Sequence, residues 1–182
     1  YFSAADSTLT FYHSPVVWYE DYQCQADTII CHYDSAGVDL VKMRGNVMSI
    51  EKVDSLKFNQ IKGRNAVVYC AKSEPLYADV LGSARMVYYV LDDEGVDSAG
   101  KQQRQLIGVN AGVGSDMRIY FKERKPVRFV TYGTPDMKMY PLEKLPNDEK
   151  YLPGFEWLTD RRPKSPTDVF APKGDKMSEK LK

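Results

Sequence analysis

The stretch VDLVKMRGNVMSIEKVDSLKFNQIKGRNAVVY (residues 38–69) decides the fold class of this chain. Near its start, Val41 and Met43 share one parity, while Lys42 and Arg44 lie on the other. Alternation with a period of two residues is typical of a β-strand that has one apolar and one polar face. The stretch therefore predicts two long strands joined by a short polar connection.

The same pattern recurs before and after this stretch, each time with a short tag in mid-strand. The tag is a glycine, then a small polar residue, then Val, Ala or Pro; a histidine replaces the glycine in the first copy. The tags lie at His13, Gly45, Gly82 and Gly133. Because glycine within a strand marks a bulge or a bend, each tag predicts a corner where a long strand turns across the structure. The strands that follow the first three tags begin with Gln23, Gln60 and Gln105.

The repeat predicts two parts of the chain. Residues 1–140 are expected to form the β-repeat domain, which starts in mid-pattern and is expected to be truncated at its N-terminal end. Residues 141–182 are expected to form a proline-rich capping segment and a charged tail. Disorder is expected from Arg161 onward, apart from an anchor at Val169-Phe170.

Two features interrupt the repeat. The polar residues 92–104 predict an exposed, mobile hairpin loop, because charge and glycine are enriched there. The glycines of residues 112–114 predict a bulge that lets a strand bend.

Composition excludes several classes of function. Lys+Arg and Asp+Glu both number 25, so the net charge is zero and no global field attracts nucleic acid. No apolar run approaches the roughly 20 residues that span a bilayer. The N-terminus has neither the basic start nor the apolar core of a signal peptide, and removal of an export signal remains open.

Three cysteines do not make a disulfide framework. Cys24 falls on the apolar parity of its strand, whereas Cys31 and Cys70 fall on the polar parity. Three free thiols and a Cys31–Cys70 bridge both remain open.

Catalytic and metal sites find little support in the sequence, and no cofactor is expected. His32 directly follows Cys31, so the two side chains point to opposite faces of a strand and cannot easily share a metal. Ser115 follows glycines but precedes no helical pattern, which argues against a nucleophile elbow. No cluster of carboxylates marks a carbohydrate-processing enzyme, and we expect the protein not to be an enzyme.

The apolar parity of the predicted strands defines an apolar wall. Such a wall is by default the closed core of a β-sandwich or β-solenoid. Alternatively, it lines a groove for an apolar ligand between two sheets that do not close. The candidate groove residues are Leu9, Phe11, Ile30, Val41, Met43, Ile61, Val67, Val80, Ile119 and Phe129.

A family resemblance rests on the order and spacing of several short motifs over about residues 5–170. These motifs are Pro15-Val16-Val17-Trp18, Gln25-Ala26-Asp27-Thr28-Ile29, Gly45-Asn46-Val47, Phe58-Asn59-Gln60-Ile61-Lys62-Gly63-Arg64, Gly133-Thr134-Pro135-Asp136, Tyr140-Pro141-Leu142, Gly154-Phe155, Trp157 and Arg162-Pro163. With them the sequence resembles the OstA-like, LptA-like family of lipopolysaccharide transport proteins, in the long, tailed form of Bacteroidetes-type bacteria.

This resemblance implies an incomplete β-jellyroll, a V-shaped or taco-like stack of antiparallel strands. It implies a periplasmic location, or association with the outer membrane, and binding of the lipid A acyl chains of lipopolysaccharide between two sheets. It also implies partners: other transport components, or further copies of the chain, joined through exposed edge strands. The alternative is a structural β-stack, a scaffold or assembly module with a closed core and no lipid ligand.

Overall fold

The computed structural model describes residues 1–96, 102–165 and 167–168, and these form an all-β fold. The strands are β1 (Phe2–Ser3), β2 (Thr8–Phe11), β3 (Val16–Tyr19), β4 (Tyr22–Gln25), β5 (Thr28–Asp34), β6 (Gly37–Lys52), β7 (Phe58–Ala71), β8 (Glu74–Val96), β9 (Gln102–Lys122), β10 (Lys125–Tyr132) and β11 (Asp136–Tyr140). All pairings are antiparallel. The predicted all-β class of stacked antiparallel strands is therefore confirmed.

The strands form one eleven-stranded sheet in the order β1-β2-β5-β6-β7-β8-β9-β10. Off this path, β3 pairs with β4, β4 pairs with β6, and β11 pairs with β9. The described residues include the short 3-10 turns Leu142–Lys144 and Thr159–Arg161, and none of their helices is long and apolar enough to span a membrane.

The sheet folds into two arms at corners, and the corners are the predicted tags. Gly45 and Asn46 both have positive φ, of 72° and 49°, and the β6–β7 register shifts there. Gly82 and Ser83 repeat this arrangement in β8, and His13 and Ser14 repeat it between β2 and β3. Gly133, with a φ of 83°, separates β10 from β11. The prediction that each tag marks a corner is confirmed.

The corners define the two arms. Arm 1 contains β1, β2, β5, β10 and the halves of β6, β7, β8 and β9 that pair beside them. Arm 2 contains β3, β4, β11 and the other halves of the same long strands. We call the faces that the arms turn toward each other inner, and the opposite faces outer.

Strand β9 differs from the sequence-based expectation. It runs without a break through residues 112–114, and the extra residues of the bulge lie in β8, between Leu81 and Ala84. A Cβ added at Gly112 would overlap the backbone of Asp136 and Met137. Glycine at this position therefore allows β11 to pack closely against β9.

The predicted loop over residues 92–104 is largely strand. Strands β8 and β9 continue their pairing to Val96 and Gln102. Residues 97–101 lie outside the described part of the chain. The polar segment therefore extends the β8–β9 hairpin on both sides of residues 97–101.

The C-terminal segment, residues 141–165, packs on the outer face of arm 2. Leu145 and Leu152 are buried there in a cluster with residues of β6 to β9. The ring of Trp157 lies 5.0 Å from that of Trp18 and 5.4 Å from that of Phe58. Phe58 is buried, and the half-buried Trp157 packs against the same cluster.

Two residues of the tail, which is expected to be disordered from Arg161 onward, make defined contacts in the described part of the chain. Arg162 donates a hydrogen bond from Nη2 to the carbonyl of Glu20 (2.9 Å), and its guanidinium lies 5.2 Å from the ring of Trp18. Asp168 accepts hydrogen bonds from the backbone of Lys164 and Ser165. The expected anchor at Val169-Phe170 and the rest of the tail lie outside the described residues.

Candidate functional site

The inner face of arm 1 carries two continuous rows of apolar side chains. Cα partners in adjacent antiparallel strands point their side chains to the same face, so the register gives each row directly. The first row contains Leu9, Cys31, Val41, Val68, Ala78, Ile119 and Phe129. The second row contains Phe11, Ile29, Met43, Ala66, Val80 and Met117.

The two rows bring together seven of the ten candidate groove residues: Leu9, Phe11, Val41, Met43, Val80, Ile119 and Phe129. An eighth candidate, Ile61, faces them from the inner face of arm 2, where it packs against a cluster that includes Val80 and Ile119. Phe129 also reaches across, with its ring 4.8 Å from that of Tyr88.

Ile30 and Val67 lie on the outer face, and their assignment to the groove wall is corrected. Ile30 pairs with Lys42, Lys42 pairs with Val67, and Val67 pairs with Asp79. Asp79 forms a bidentate ion pair with Arg118, at 2.6 and 2.7 Å, on this polar row. Parity alone misassigned the two residues because Ile29 and Ile30, like Val67 and Val68, place apolar side chains on both faces.

The predicted position of Cys31 is corrected in the same way. Cys31 lies in the first inner row, not on a polar face, and it packs against the cluster around Met43. All three thiols are unpaired in the structure. Burial raises the pKa of the Cys24, Cys31 and Cys70 thiols. Each thiol is therefore a weaker nucleophile at neutral pH than a free cysteine.

The space between the arms is narrower than the open groove that the sequence predicted. Met43, Val80 and Ile119 are 5%, 3% and 2% exposed, and Met117 is 1% exposed. The expected solvent-open gap along the whole wall is therefore largely filled by packed side chains. What remains between the arms is a cavity of about 150 Å³.

This cavity lies between the two arms, toward the strand ends that lie away from the corners. Met43, Ile61, Val80 and Ile119 line it, and they are the candidate residues that it brings together. The lining residues that the candidate set omitted are Tyr19, Tyr22, Cys24, Val47, Ser49, Ala66, Val68, Pro75, Ala78, Phe121, Arg124 and Pro126. Alternation in β7 would have identified Val68 had the opposite parity been chosen, whereas nothing in the local sequence brings Tyr19 or Tyr22 to this wall.

Tyr22 carries a polar atom into this apolar setting. Its buried hydroxyl has no hydrogen-bond partner among the described residues. Burial, and secondly the nearby Glu51 carboxylate, raises the pKa of Tyr22. The phenol therefore stays neutral at physiological pH, with its hydroxyl beside the Glu51 carboxylate.

Glu20, Glu74 and Arg124 form an ionic cluster, which we call the tip cluster. It joins the ends of the two arms beside the cavity. Arg124 forms a two-pronged ion pair with Glu74 of arm 1. Its Nη1 also donates to Glu20 Oε1 of arm 2, at 2.7 Å. The hydrogen bonds from Arg124 lower the pKa of Glu74. The tip cluster is therefore a direct polar link between the two arms.

On the outer face of arm 2, two buried glutamines hold the C-terminal segment. Gln60 Nε2 donates to the carbonyl of Lys150 (2.8 Å), and its Oε1 accepts from the Leu152 N–H (2.8 Å). Gln23 makes the equivalent pair of bonds to Glu156 and Leu158, both at 2.7 Å. We call each arrangement a glutamine clasp. The recurrence of glutamine at the start of these strands was visible in the sequence, but its role was not.

The described residues contain no group of three or more His, Cys, Asp or Glu side chains placed to hold a metal ion. The polar groups near the cavity include the hydroxyls of Tyr19, Tyr22 and Ser49, and the tip cluster. Groups of this kind can hydrogen-bond or pair with a polar group at the end of an apolar segment.

Comparison with known proteins adds one similar structure. No family model matches the chain, and no curated protein matches it. Among solved structures, the chain is similar to LptH from Pseudomonas aeruginosa, described as the LptA homologous periplasmic component of a conserved lipopolysaccharide transport device. The two share 13% sequence identity over 75% of this chain and 85% of that chain, with a TM-score of 0.48.

Proposed function

We propose that this protein is a non-enzymatic carrier that shields the acyl chains of a lipid between its two arms. The observation that carries the proposal is the cavity lined by Met43, Ile61, Val80 and Ile119, between the inner faces of the two arms. An apolar cavity of about this size stays dry and accepts small apolar groups. The sequence resemblance to lipopolysaccharide transport proteins supports lipopolysaccharide as the lipid and the periplasm as the compartment.

The cavity in its present state accepts the end of a chain and not a whole lipid. Ligand pockets for drug-sized molecules usually span about 300–1,000 Å³, whereas this cavity is about 150 Å³. A lipid with several acyl chains therefore requires the arms to separate on the side of the tip cluster. The tip cluster is exposed and ionic, so breaking its contact costs little, but separation also has to break the apolar contacts of Ile61 with the cluster around Val80 and Ile119.

The proposal also assigns roles to the parts of the chain. Residues 1–140 form the carrier, and residues 141–165 seal the outer face of arm 2. Strands at the ends of the sheet, β1 beside β2 and β10 beside β9, leave edges through which transport partners or further copies can add strands.

A closed β-stack without a lipid ligand is the second candidate. The observation that favours it is the burial of Val80, Met117 and Ile119, each 3% exposed or less. In that case the interior is the closed core of the protein, and the cavity is one of the few voids that such a core contains.

Two adjacent valines of β7 provide the test. Val68 lines the cavity and Val67 lies on the outer face. The carrier predicts that Val68→Asp reduces binding of a fluorescent lipid A analogue at least about tenfold, because a carboxylate in the cavity is desolvated by an acyl chain. Val67→Asp is the matched control and should bind as the parent does. Equal binding by both folded variants would contradict the carrier.

A cavity-filling variant keeps the test valid if Val68→Asp does not fold. Ala78 also lines the cavity and is 6% exposed. Ala78→Val adds two methyl groups to this space and no charge. The carrier predicts weaker lipid binding by this variant, whereas the closed stack predicts no saturable binding by any form and an unchanged or higher free energy of unfolding.

A further inference from the structure

Arg124 is a charged residue at the end of the cavity. It lies in the tight turn between β9 and β10, where Glu123 and Arg124 both have positive φ. Among the described residues that line the cavity, Arg124 alone carries a formal charge. Its side chain is 44% exposed, so it reaches both solvent and the apolar space. Arg124 therefore stands at the mouth of the cavity.

The two carboxylates around Arg124 are not equivalent. Glu74 is the first residue of β8 in arm 1 and binds the Nε and Nη2 side of the guanidinium. Glu20 belongs to the β3–β4 turn of arm 2 and binds Nη1 alone. When the arms separate, the contact with Glu74 stays within one arm, and the contact with Glu20 breaks. Separation thus exposes one side of a pre-oriented guanidinium directly above the cavity.

A guanidinium with a free N–H edge beside an apolar cavity selects for an anionic oxygen at the head of an apolar chain. Arginine binds phosphate and carboxylate oxygens with geometry that an ammonium cannot offer. The Tyr19 ring, 5.7 Å from the guanidinium, forms the adjacent side of the mouth. We propose that Arg124 is the specificity-determining residue of the carrier. It selects amphiphiles with a phosphate next to the acyl chain, and Glu20 holds the place of that phosphate in the empty protein.

This inference rests on the proposed carrier function and extends it from acyl chains to the headgroup. Exchange of Glu20 for a ligand oxygen is easy because an exposed ion pair contributes little to stability. The new bond forms next to a cavity filled by the acyl chain, where water is displaced and the charge-assisted hydrogen bond is stronger. Recognition of the head and burial of the chain therefore reinforce each other.

The test compares two amphiphiles with the same chain on the full-length protein. Dodecyl phosphate carries the anionic head, and dodecyl glucoside carries an uncharged one; both are used below their micelle concentrations and binding is measured by calorimetry. We expect dodecyl phosphate to bind about tenfold more tightly than dodecyl glucoside, because one pair of charge-assisted hydrogen bonds contributes about this much to the binding free energy. The preference should fall as the salt concentration rises, because the contact is partly exposed.

Three variants separate the role of Arg124 from general charge effects. Arg124→Gln should lose the preference for phosphate, so that dodecyl phosphate and dodecyl glucoside bind this variant with affinities within about twofold of each other. Glu20→Gln should bind dodecyl phosphate more tightly than the parent, because the competing carboxylate is gone. Arg128→Gln is the control: Arg128 lies over Tyr120 on the outer face, 5.4 Å from its ring, and its loss should leave the preference intact.

The outcomes distinguish this inference from the function on which it rests. If both amphiphiles bind the parent equally, or if Arg124→Gln keeps the preference, the assignment to Arg124 is wrong and the carrier stands. If neither amphiphile binds any form, the carrier and the assignment both fall.

Discussion

The glutamine clasps show how a single buried polar side chain decides where a segment lies. Gln23 and Gln60 are both 0% exposed, and each satisfies one N–H and one carbonyl of the C-terminal segment. A buried amide without such partners is strongly unfavourable, so the clasps fix the segment in register as a strand partner would.

Gln60→Ala should lower the free energy of unfolding by about 2–4 kcal/mol, because it leaves the Lys150 carbonyl and the Leu152 N–H buried without partners. Gln105 occupies the same place in the third copy of the repeat but is exposed. Gln105→Ala should change stability by less than about 0.5 kcal/mol. Urea denaturation measures both values, and equal effects would show that the clasp does not hold the segment.

The corner is the element that turns a set of long strands into two arms. At the β6 corner the Gly45 N–H donates to Asn65 Oδ1 (3.2 Å), and the Gly45 carbonyl accepts from the Asp27 N–H (2.9 Å). Asn46 Nδ2 donates to the Asp27 carboxylate at 3.1–3.2 Å. Positive φ and these side-chain bonds together satisfy the backbone where the ladder is interrupted.

Gly45→Ala should cost about 2–3 kcal/mol, since it adds the left-handed penalty of an L-residue to an overlap of the new Cβ with the Asp27 side chain. Gly82 has a similar φ of 77°, but there a new Cβ would meet only the Arg64 side chain, at 3.1 Å. Gly82→Ala should therefore cost only about 1 kcal/mol. Thermal unfolding of the two variants tests the difference, and the reverse order would refute this account of the corner.

At the scale of the whole molecule, arm 2 is a sheet with two covered faces. Its inner face meets arm 1, and its outer face carries an apolar cluster that includes Met48, Ile50, Val87 and Val109. The C-terminal segment covers this outer cluster with Leu145 and Leu152. Without the segment the outer cluster would be an exposed apolar patch, which soluble proteins rarely tolerate.

Truncation after Tyr140 should destabilise the protein by more than about 5 kcal/mol, because several large side chains lose their burial at about 1.5–3 kcal/mol each. This loss is comparable with the stability of an ordinary domain, so we expect aggregation and binding of an apolar dye. Truncation after Asp168 is the control and separates residues 141–168 from residues 169–182. A monomeric, cooperatively folded product of the first truncation would contradict this role of the segment.

The sequence by itself determined the all-β class, the long strands and the corners. Strand alternation and glycine at positions of positive φ are local properties, and a single residue such as Gly45 carries the information. The sequence also determined most of the inner rows, because Met43 lies between Lys42 and Arg44, and Val80 alternates with Asp79. It failed at Ile30 and Val67, where both faces of the strand are apolar and parity has no meaning without a partner strand.

Only the tertiary structure decided how far the arms close, and which residues meet at the tip. Glu20 and Arg124 are 104 residues apart in the chain, and no local pattern relates a turn of arm 2 to a turn of arm 1. The same holds for Gln60 and Leu152, 92 residues apart. Contacts of this kind follow from the twist and packing of the complete sheet, and so the cavity, its charged mouth and its covered outer face exist only once the whole chain has folded.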